Sequence, residues 1–337
     1  MNITEELLKK GYLISPSVAN KIDINKMNKI LPKITKKELV ITEQLIEYLT
    51  KERNINIIRE NKQTSVVKRI SDFVDFYNKR LEFLRKILED KIQSKNITSI
   101  NKLSYGTETT LIGMIREIRD DKFKLEDSTG FISCYYSGTV LEDDVVGVKG
   151  IVKKEGFVVD KIYYPDVFLT HTPNYTKDDC SVLFTETLKK PSREPSFIFT
   201  FNVNIDPREL KTDIITSDNK KTKIPNVHVF NEPFLVDVNG VMIFVLKIKN
   251  KKEMMKKLKT DDPKNMITAL IKRRHFLPFE YVEGDPYLIR EIPDVIFISG
   301  MNEPFFMNYK GISIVSVADG KSFLINLKNR DVEECKD

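Results

Sequence analysis

Residues 109–136 read TTLIGMIREIRDDKFKLEDSTGFISCYY. The spacing of their apolar positions decides the fold of the middle of the chain. TTLIGMIREI (109–118) reads as a strand, KFKLED (122–127) as a second and FISCYY (131–136) as a third, with Ser128-Thr129-Gly130 as the turn between the last two. Downstream, DVVGVKGIVKK (144–154) and GFVVDKIYY (156–164) continue the pattern. Five short strands separated by turn signals predict a small closed barrel, the oligonucleotide/oligosaccharide-binding (OB) pattern, over residues 96–170. Gly113, Gly130, Gly147, Gly150 and Gly156 fall where such a barrel bends tightly or lets backbones approach closely.

Upstream the period changes. Val66, Ile70, Phe73, Val74, Tyr77, Leu81, Leu84, Ile87 and Leu88 recur at helical spacing with charged residues between them, which predicts an amphipathic helix within 65–95. Residues 51–64 are polar and read as a linker, and residues 1–50 read as a small helical module. After a polar connector (171–177), residues 178–332 alternate strands and helices. Strands are expected at SVLFT, SFIFTF, VHVF, FLVDV, VMIFVLKI, DVIFISG, ISIVSVA and FLINLKN, with helices near 251–259 and 263–273. Asp262 before Pro263 marks the start of the second of these helices. The fold class expected is multidomain α+β: a helical module, a barrel and an α/β sandwich.

Composition narrows the function classes. The chain has 337 residues, 55 basic against 49 acidic, for a net charge of +6. That excess permits a nucleic-acid partner without pointing strongly to one. Three widely spaced cysteines, Cys134, Cys180 and Cys335, form no CxxC pair and suit a reducing compartment. No apolar run approaches the ~18 residues of a membrane span. MNITEELLKKGYLI lacks the parts of a signal peptide. A cytoplasmic protein with no membrane partner is expected. No phosphate-binding loop, dinucleotide fingerprint or nucleophile elbow occurs. The adjacent carboxylates Asp143-Asp144 and Asp261-Asp262 read as turns, because sequence neighbours diverge in direction.

The order of these parts resembles the small (B) subunit of archaeal family D DNA polymerase, a relative of the eukaryotic polymerase B subunits. SVVKRISDFVDFYNKRLEFLRKIL resembles the helix that precedes its barrel, and Leu125-Glu126-Asp127 with Gly130 its first barrel turn. KIYYPDV resembles the barrel exit, NVHVFNEPFLVDVNGVMIFV a later strand pair, and IKRRHFLPF an Arg-His-Leu-x-Pro stretch. The resemblance covers most of residues 65–332. It implies a sandwich like a calcineurin-like phosphoesterase, and a large catalytic polymerase subunit as partner, with DNA reached through the complex.

The resemblance also implies a pair of divalent metals bound by Asp, Asn and His at strand ends. At the corresponding places the residues are wrong for that chemistry. Glu186 and Leu188 stand where Asp-x-His is expected, Asn202 and Val203 where Asn-His is expected, and Met301 and Glu303 where His-x-His is expected. Leu246 and Lys247 stand at the place of a lone His, the Gly-Asp segment has no counterpart, and a strand with its helices looks deleted. The chain's three histidines, His171, His228 and His275, fall at none of the ligand positions. Neither catalytic residues nor a metal or other cofactor is therefore expected in this chain. For nucleic-acid contact the candidates are Arg116, Arg119, Lys122, Lys124 and Tyr136 on the barrel and Lys272, Arg273 and Arg274 in the basic run. Alternation along FISCYY puts Phe131 and Tyr135 on one face, toward the core, and Tyr136 on the other.

The function expected is thus a non-catalytic scaffold subunit of a replicative polymerase, its 3′–5′ exonuclease lost. Two other classes stay open: an active metal-dependent exonuclease, and a free-standing single-stranded-DNA-binding barrel.

Overall fold

A computed structural model describes residues 11–15, 18, 40–42, 54–61, 69–93, 96–218, 224, 226–318 and 320–336. The chain divides into two compact units, 1–55 and 56–337. In the first, β1 (Leu13–Ile14) and β2 (Val40–Ile41) pair in parallel. This corrects the all-helical module expected over 1–50 at Leu13–Ile14 and Val40–Ile41, which are strands; most of the rest of that expectation lies outside the described residues.

The second unit opens within β3 (Ile55–Glu60), a six-residue strand at the edge of a sheet. This corrects the linker expected at 51–64. Its polar composition misled, because an edge strand is solvated on one side and needs no apolar run. Next comes α1 (Ile70–Ile92), whose buried Leu84 and Leu88 pack on Ile112, Met114, Val145 and Leu288. Burying side chains of this size stabilises by roughly 1.5–3 kcal/mol each.

The closed barrel follows: β4 (Glu108–Arg119), β5 (Lys122–Asp127), β6 (Gly130–Tyr135), β7 (Val145–Lys153) and β8 (Gly156–Tyr163), in the order β4-β5-β6-β8-β7. The long first strand serves two neighbours. Its residues from Glu108 to Met114 pair with β7, and those from Met114 to Arg119 pair with β5. Gly113 sits at the changeover, where a Cβ would lie 2.5 Å from the Glu126 carbonyl oxygen. A bulge between Arg116 and Ile118 turns the strand further. The Leu-Glu-Asp-x-x-Gly turn has a physical cause: the Asp127 carboxylate accepts from the Thr129 and Gly130 N–H groups (2.7 and 3.1 Å). Inside the barrel lie Leu111, Ile115, Phe123, Leu125, Cys134, Val146, Val148 and Phe157.

Two six-stranded sheets complete the unit. The first has order β12-β11-β10-β9-β18-β19, from β9 (Ser181–Leu188), β10 (Phe197–Val203), β11 (Asp213–Thr216), β12 (Val227–Val229), β18 (Lys321–Asn326) and β19 (Val332–Lys336). The second has order β16-β17-β15-β14-β13-β3, from β13 (Phe234–Val238), β14 (Val241–Lys247), β15 (Val295–Ser299), β16 (Phe305–Tyr309) and β17 (Ile312–Ser316). β9 to β12 run parallel, as do β14, β15 and β17. Between the sheets, Phe184 and Phe201 meet Phe297 at ring distances of 5.0 and 4.8 Å. The helices α2 (Lys251–Lys257) and α3 (Pro263–Lys272) cover the second sheet through Met254, Met266, Ile267 and Leu270. Asp262 caps α3, accepting from Lys264 N–H at 2.8 Å, with Pro263 first in the helix. Among the described residues, no helix joins β9 to β12; a single 3₁₀ turn, Pro207–Glu209, lies in those connections. Nor is any described helix long and apolar enough to cross a membrane.

Candidate functional site

Parallel strands point their C-terminal ends toward one rim, the usual place for chemistry in an open α/β sheet. Here that rim gathers the ends of β9, β10, β14 and β15. Glu186, near the end of β9, is half-buried, and its Oε1 accepts from Ser299 Oγ at 2.8 Å, which ties the two sheets together. Its main-chain oxygen accepts from Thr200 Oγ1 and Asn202 Nδ2, each at 3.3 Å. Glu186 and Asn202 are thereby neighbours. Leu188 and Val203 are buried in the apolar cluster of the first sheet, Met301 is buried in that of the second, and Glu303 is exposed. Among the described residues, no three His, Cys, Asp or Glu side chains are grouped to hold a metal ion. A two-metal centre needs several converging oxygen or nitrogen donors. Three of the six positions carry apolar side chains, so the set present does not fit one.

Gly300, just before Met301, is held in place by backbone geometry. Its φ is +92°, and a Cβ there would lie 2.2 Å from the Ile248 carbonyl oxygen. At the same rim stand Lys247, half-buried at the end of β14, and Lys249, exposed just beyond it. Burial pushes the Glu232 carboxyl upward, while Lys249 and Lys247 oppose that shift and Glu186 adds to it. These four residues form one charge cluster. Glu232 and Lys249 carried no sequence signal, because the rim is assembled from separate segments.

The basic run behaves differently from expectation. Lys272 is exposed, but Arg273 and Arg274 are buried, at 6% and 3% exposure. Both are corrected from nucleic-acid candidates to structural residues. Arg273 Nε donates to Asp144 Oδ2 at 2.9 Å, Nη2 donates to Tyr164 Oη at 3.2 Å, and the guanidinium lies over the Tyr164 ring. Arg274 Nε donates to the Pro165 carbonyl at 2.8 Å. The pair therefore fastens the sandwich to the barrel and its exit. Asp143 and Asp144 do diverge: Asp143 pairs with Arg116 on the barrel, Asp144 with Arg273 on the sandwich.

His275 is part of the same seam. Its Nδ1 accepts from Leu277 N–H at 2.9 Å, so Nε2 carries the proton and donates to Asp285 Oδ1 at 2.7 Å. Burial, with the nearby Arg80 charge, pushes the imidazole pKa down to about 4. Arg80 from α1 forks onto both Asp285 oxygens at 2.9 Å. Burial would raise the Asp285 carboxyl, but His275 and Arg80 hold it well below the usual range. The triad joins α1 to the segment after α3.

On the barrel, most candidate cations have acidic partners. Arg116 pairs with Glu126 at 2.7 Å and with Asp143, Arg119 with Glu117 at 3.5 Å, and Lys124 with Glu117 at 3.2 Å. Lys122 lies over the Tyr135 ring and Lys124 over Phe131. Phe131 is 65% exposed, while Tyr136 packs against the barrel core. Both are corrections. Phe123 pairs with Cys134 and Leu125 with Ile132, which turns residues 132, 134 and 136 inward and 131 and 135 outward.

No family model matches the chain. Among curated proteins, the DNA polymerase II small subunit of Archaeoglobus fulgidus is 30% identical over 129 residues, covering 35% of this chain and 26% of that protein. That of Pyrococcus abyssi is 30% identical over 115 residues, covering 29% and 19%. That of Halobacterium salinarum is 24% identical over 119 residues, covering 31% and 23%. The chain thus covers about a quarter or less of the length of these relatives, and the similarity over about a third of its own length supports their family. Of solved structures, vacuolar protein sorting 29 from Cryptosporidium parvum is 12% identical, covers 49% of this chain and 98% of its own, and has a TM-score of 0.25, too slight a likeness to bear on fold or function.

Proposed function

We propose that this chain is a non-catalytic accessory subunit of a replicative DNA polymerase. It holds and stabilises the large catalytic subunit through its barrel and its sandwich, a degenerate phosphoesterase-like domain, and nucleotide addition takes place on that partner. The 3′–5′ exonuclease chemistry that a two-metal sandwich would supply is lost. One observation carries the reading: Leu188, Val203 and Met301 bring buried apolar side chains to the rim where metal donors would converge. The similarity to DNA polymerase II small subunits supports the polymerase context. The paired cations of the barrel support contact with DNA through the complex rather than by this chain alone. The complex works in the cytoplasm, at the replication fork.

The test is co-purification with the large subunit from the same genome, followed by primer extension and 3′-end removal with Mg²⁺ or Mn²⁺. A stable complex that extends primers without trimming is expected. Trimming that disappears in Glu186→Ala, Asn202→Ala or Glu303→Ala would sink the lost-site reading. Tight, salt-sensitive binding to single-stranded DNA with no complex would replace it by the free-standing binder.

A further inference from the structure

At the end of β14 the rim opens into a cavity of about 270 Å³. Its floor is aliphatic, with Leu246, Met254 and Leu277 buried and Val282 half-buried. Lys247 and Lys249 border it, with Asn61 and Tyr287 among its polar walls. We infer that this cavity is a docking pocket for a short segment of the catalytic partner, an apolar anchor side chain adjoining an acidic residue. This deepens the proposed function and rests on it.

Charge points to the acidic residue. At the seam the cations are committed: Arg80 to Asp285, Arg273 to Asp144 and Lys310 to Asp166. Lys247 and Lys249 lie within ion-pair distance of no acidic side chain among the described residues. They still feel the Glu232 carboxyl nearby. A carboxylate from the partner would meet the two ammonium groups.

Shape and lining point to the apolar anchor. The cavity falls just below the ~300–1,000 Å³ of small-molecule sites, which suits one large side chain. A single-strand platform instead needs exposed aromatic faces for stacking. Here Phe276 is only 1% exposed and belongs to the core, and Tyr287, half-buried, packs against that same core. Glu280 in the wall and Glu232, both near enough to act on Tyr287, would repel a chain of phosphates while tolerating one carboxylate held by the lysines.

The experiment measures the affinity of the full chain for the large subunit. The wild type is compared with the double variant Lys247→Glu/Lys249→Glu and with Val282→Trp, which fills the cavity without changing charge. Binding roughly tenfold weaker in both variants, with thermal midpoints like the wild type, is expected. The lysine changes lie at the rim and keep the test valid should Val282→Trp not fold. If the wild type binds and both variants bind within about twofold of it, the pocket is refuted and the accessory-subunit reading stands. If the wild type does not bind, both fall. If a single-stranded oligonucleotide displaces the large subunit, and the lysine variant loses oligonucleotide binding instead, the occupant is nucleic acid and the inference is overturned.

Discussion

Arg273 and Asp144 face each other at 2.9 Å with side-chain exposures of 6% and 1%, one on the sandwich and one on the barrel. A pair this dry costs much to break, because the surviving partner stays buried and charged. Arg273→Ala should lose roughly 3–5 kcal/mol of unfolding free energy. Asp144 Oδ1 is buried without a hydrogen bond, so the pair is imperfectly satisfied even in the native state. The double replacement Arg273→Met/Asp144→Leu should therefore recover most of the loss. Urea denaturation of the three proteins checks both statements. A single variant as stable as the wild type would show that the seam does not depend on this pair.

The His275 cluster sets a pH dependence with a definite sign. The ring is neutral in the fold, with its pKa lowered to about 4 from 6.5. The unfolded chain binds the proton first as pH falls, so His275 contributes stability above the unfolded value that is lost as pH drops toward about 4. Asp285, also held low, adds a loss at still more acidic pH. The wild type should thus weaken between pH 7 and pH 4. The stability gap to His275→Gln should be largest at neutral pH and shrink across that window. A gap independent of pH would mean that folding leaves the ring's pKa unshifted.

Much of this frame was legible beforehand. Period-two alternation and the Asp127 turn fixed the barrel, helical spacing fixed α1, and Asp262-Pro263 fixed the start of α3. What was missed depends on distant partners. Arg273 and Arg274 look like a solvated basic face until Asp144 and the Pro165 carbonyl are brought to them from more than a hundred residues away. Arg80 did leave a trace, since it falls three and four residues from Tyr77 and Leu84 on the apolar stripe of α1. β3 was unreadable because Ile57 and Ile58 are both exposed, which blurs the alternation of an edge strand. At the rim, the apolar character of Leu188, Val203 and Met301 was visible in the sequence. The roles of Ser299, Glu232 and Lys249 were not, because each acquires its neighbours only when the two sheets face each other.

Gly300 should resist substitution for a backbone reason alone. Gly300→Ala brings a Cβ against the Ile248 carbonyl and forces a side chain into φ +92°. Destabilisation of about 2 kcal/mol or more is expected. Gly240→Ala is the control: its φ is +88°, but nothing lies within 4 Å of the added Cβ. It should cost only about 1 kcal/mol, the strain of the left-handed backbone. Equal losses would show that the contact with Ile248 contributes nothing.

If the rim holds no metal pair, metal ions should leave stability alone. Chelation of the purified protein, or addition of Mn²⁺ or Zn²⁺, should move the thermal midpoint by no more than about 1 °C, since a ligand that does not bind the native state cannot stabilise it. A rise of several degrees that Glu186→Ala abolishes would restore a metal site.

The barrel face gives the last prediction. On single-stranded DNA each phosphate contact by a Lys or Arg contributes about 0.7 to the slope of log affinity against log salt. Arg116, Arg119 and Lys124 already have acidic partners, and Lys122 lies over Tyr135. Recruiting them to phosphates means breaking those contacts first. Lys122→Ala/Lys124→Ala should therefore change the affinity of the isolated chain for single-stranded DNA by less than about threefold and leave the salt slope unaltered within about 0.5. Phe131 is the sterner control, because its exposed ring is suited to stacking a base, worth about 1–3 kcal/mol where it occurs. Phe131→Ala should likewise leave DNA affinity unchanged if the barrel contacts protein. A loss of tenfold or more, together with a salt slope reduced by about 1.4 in the lysine variant, would mean that the barrel grips the strand directly.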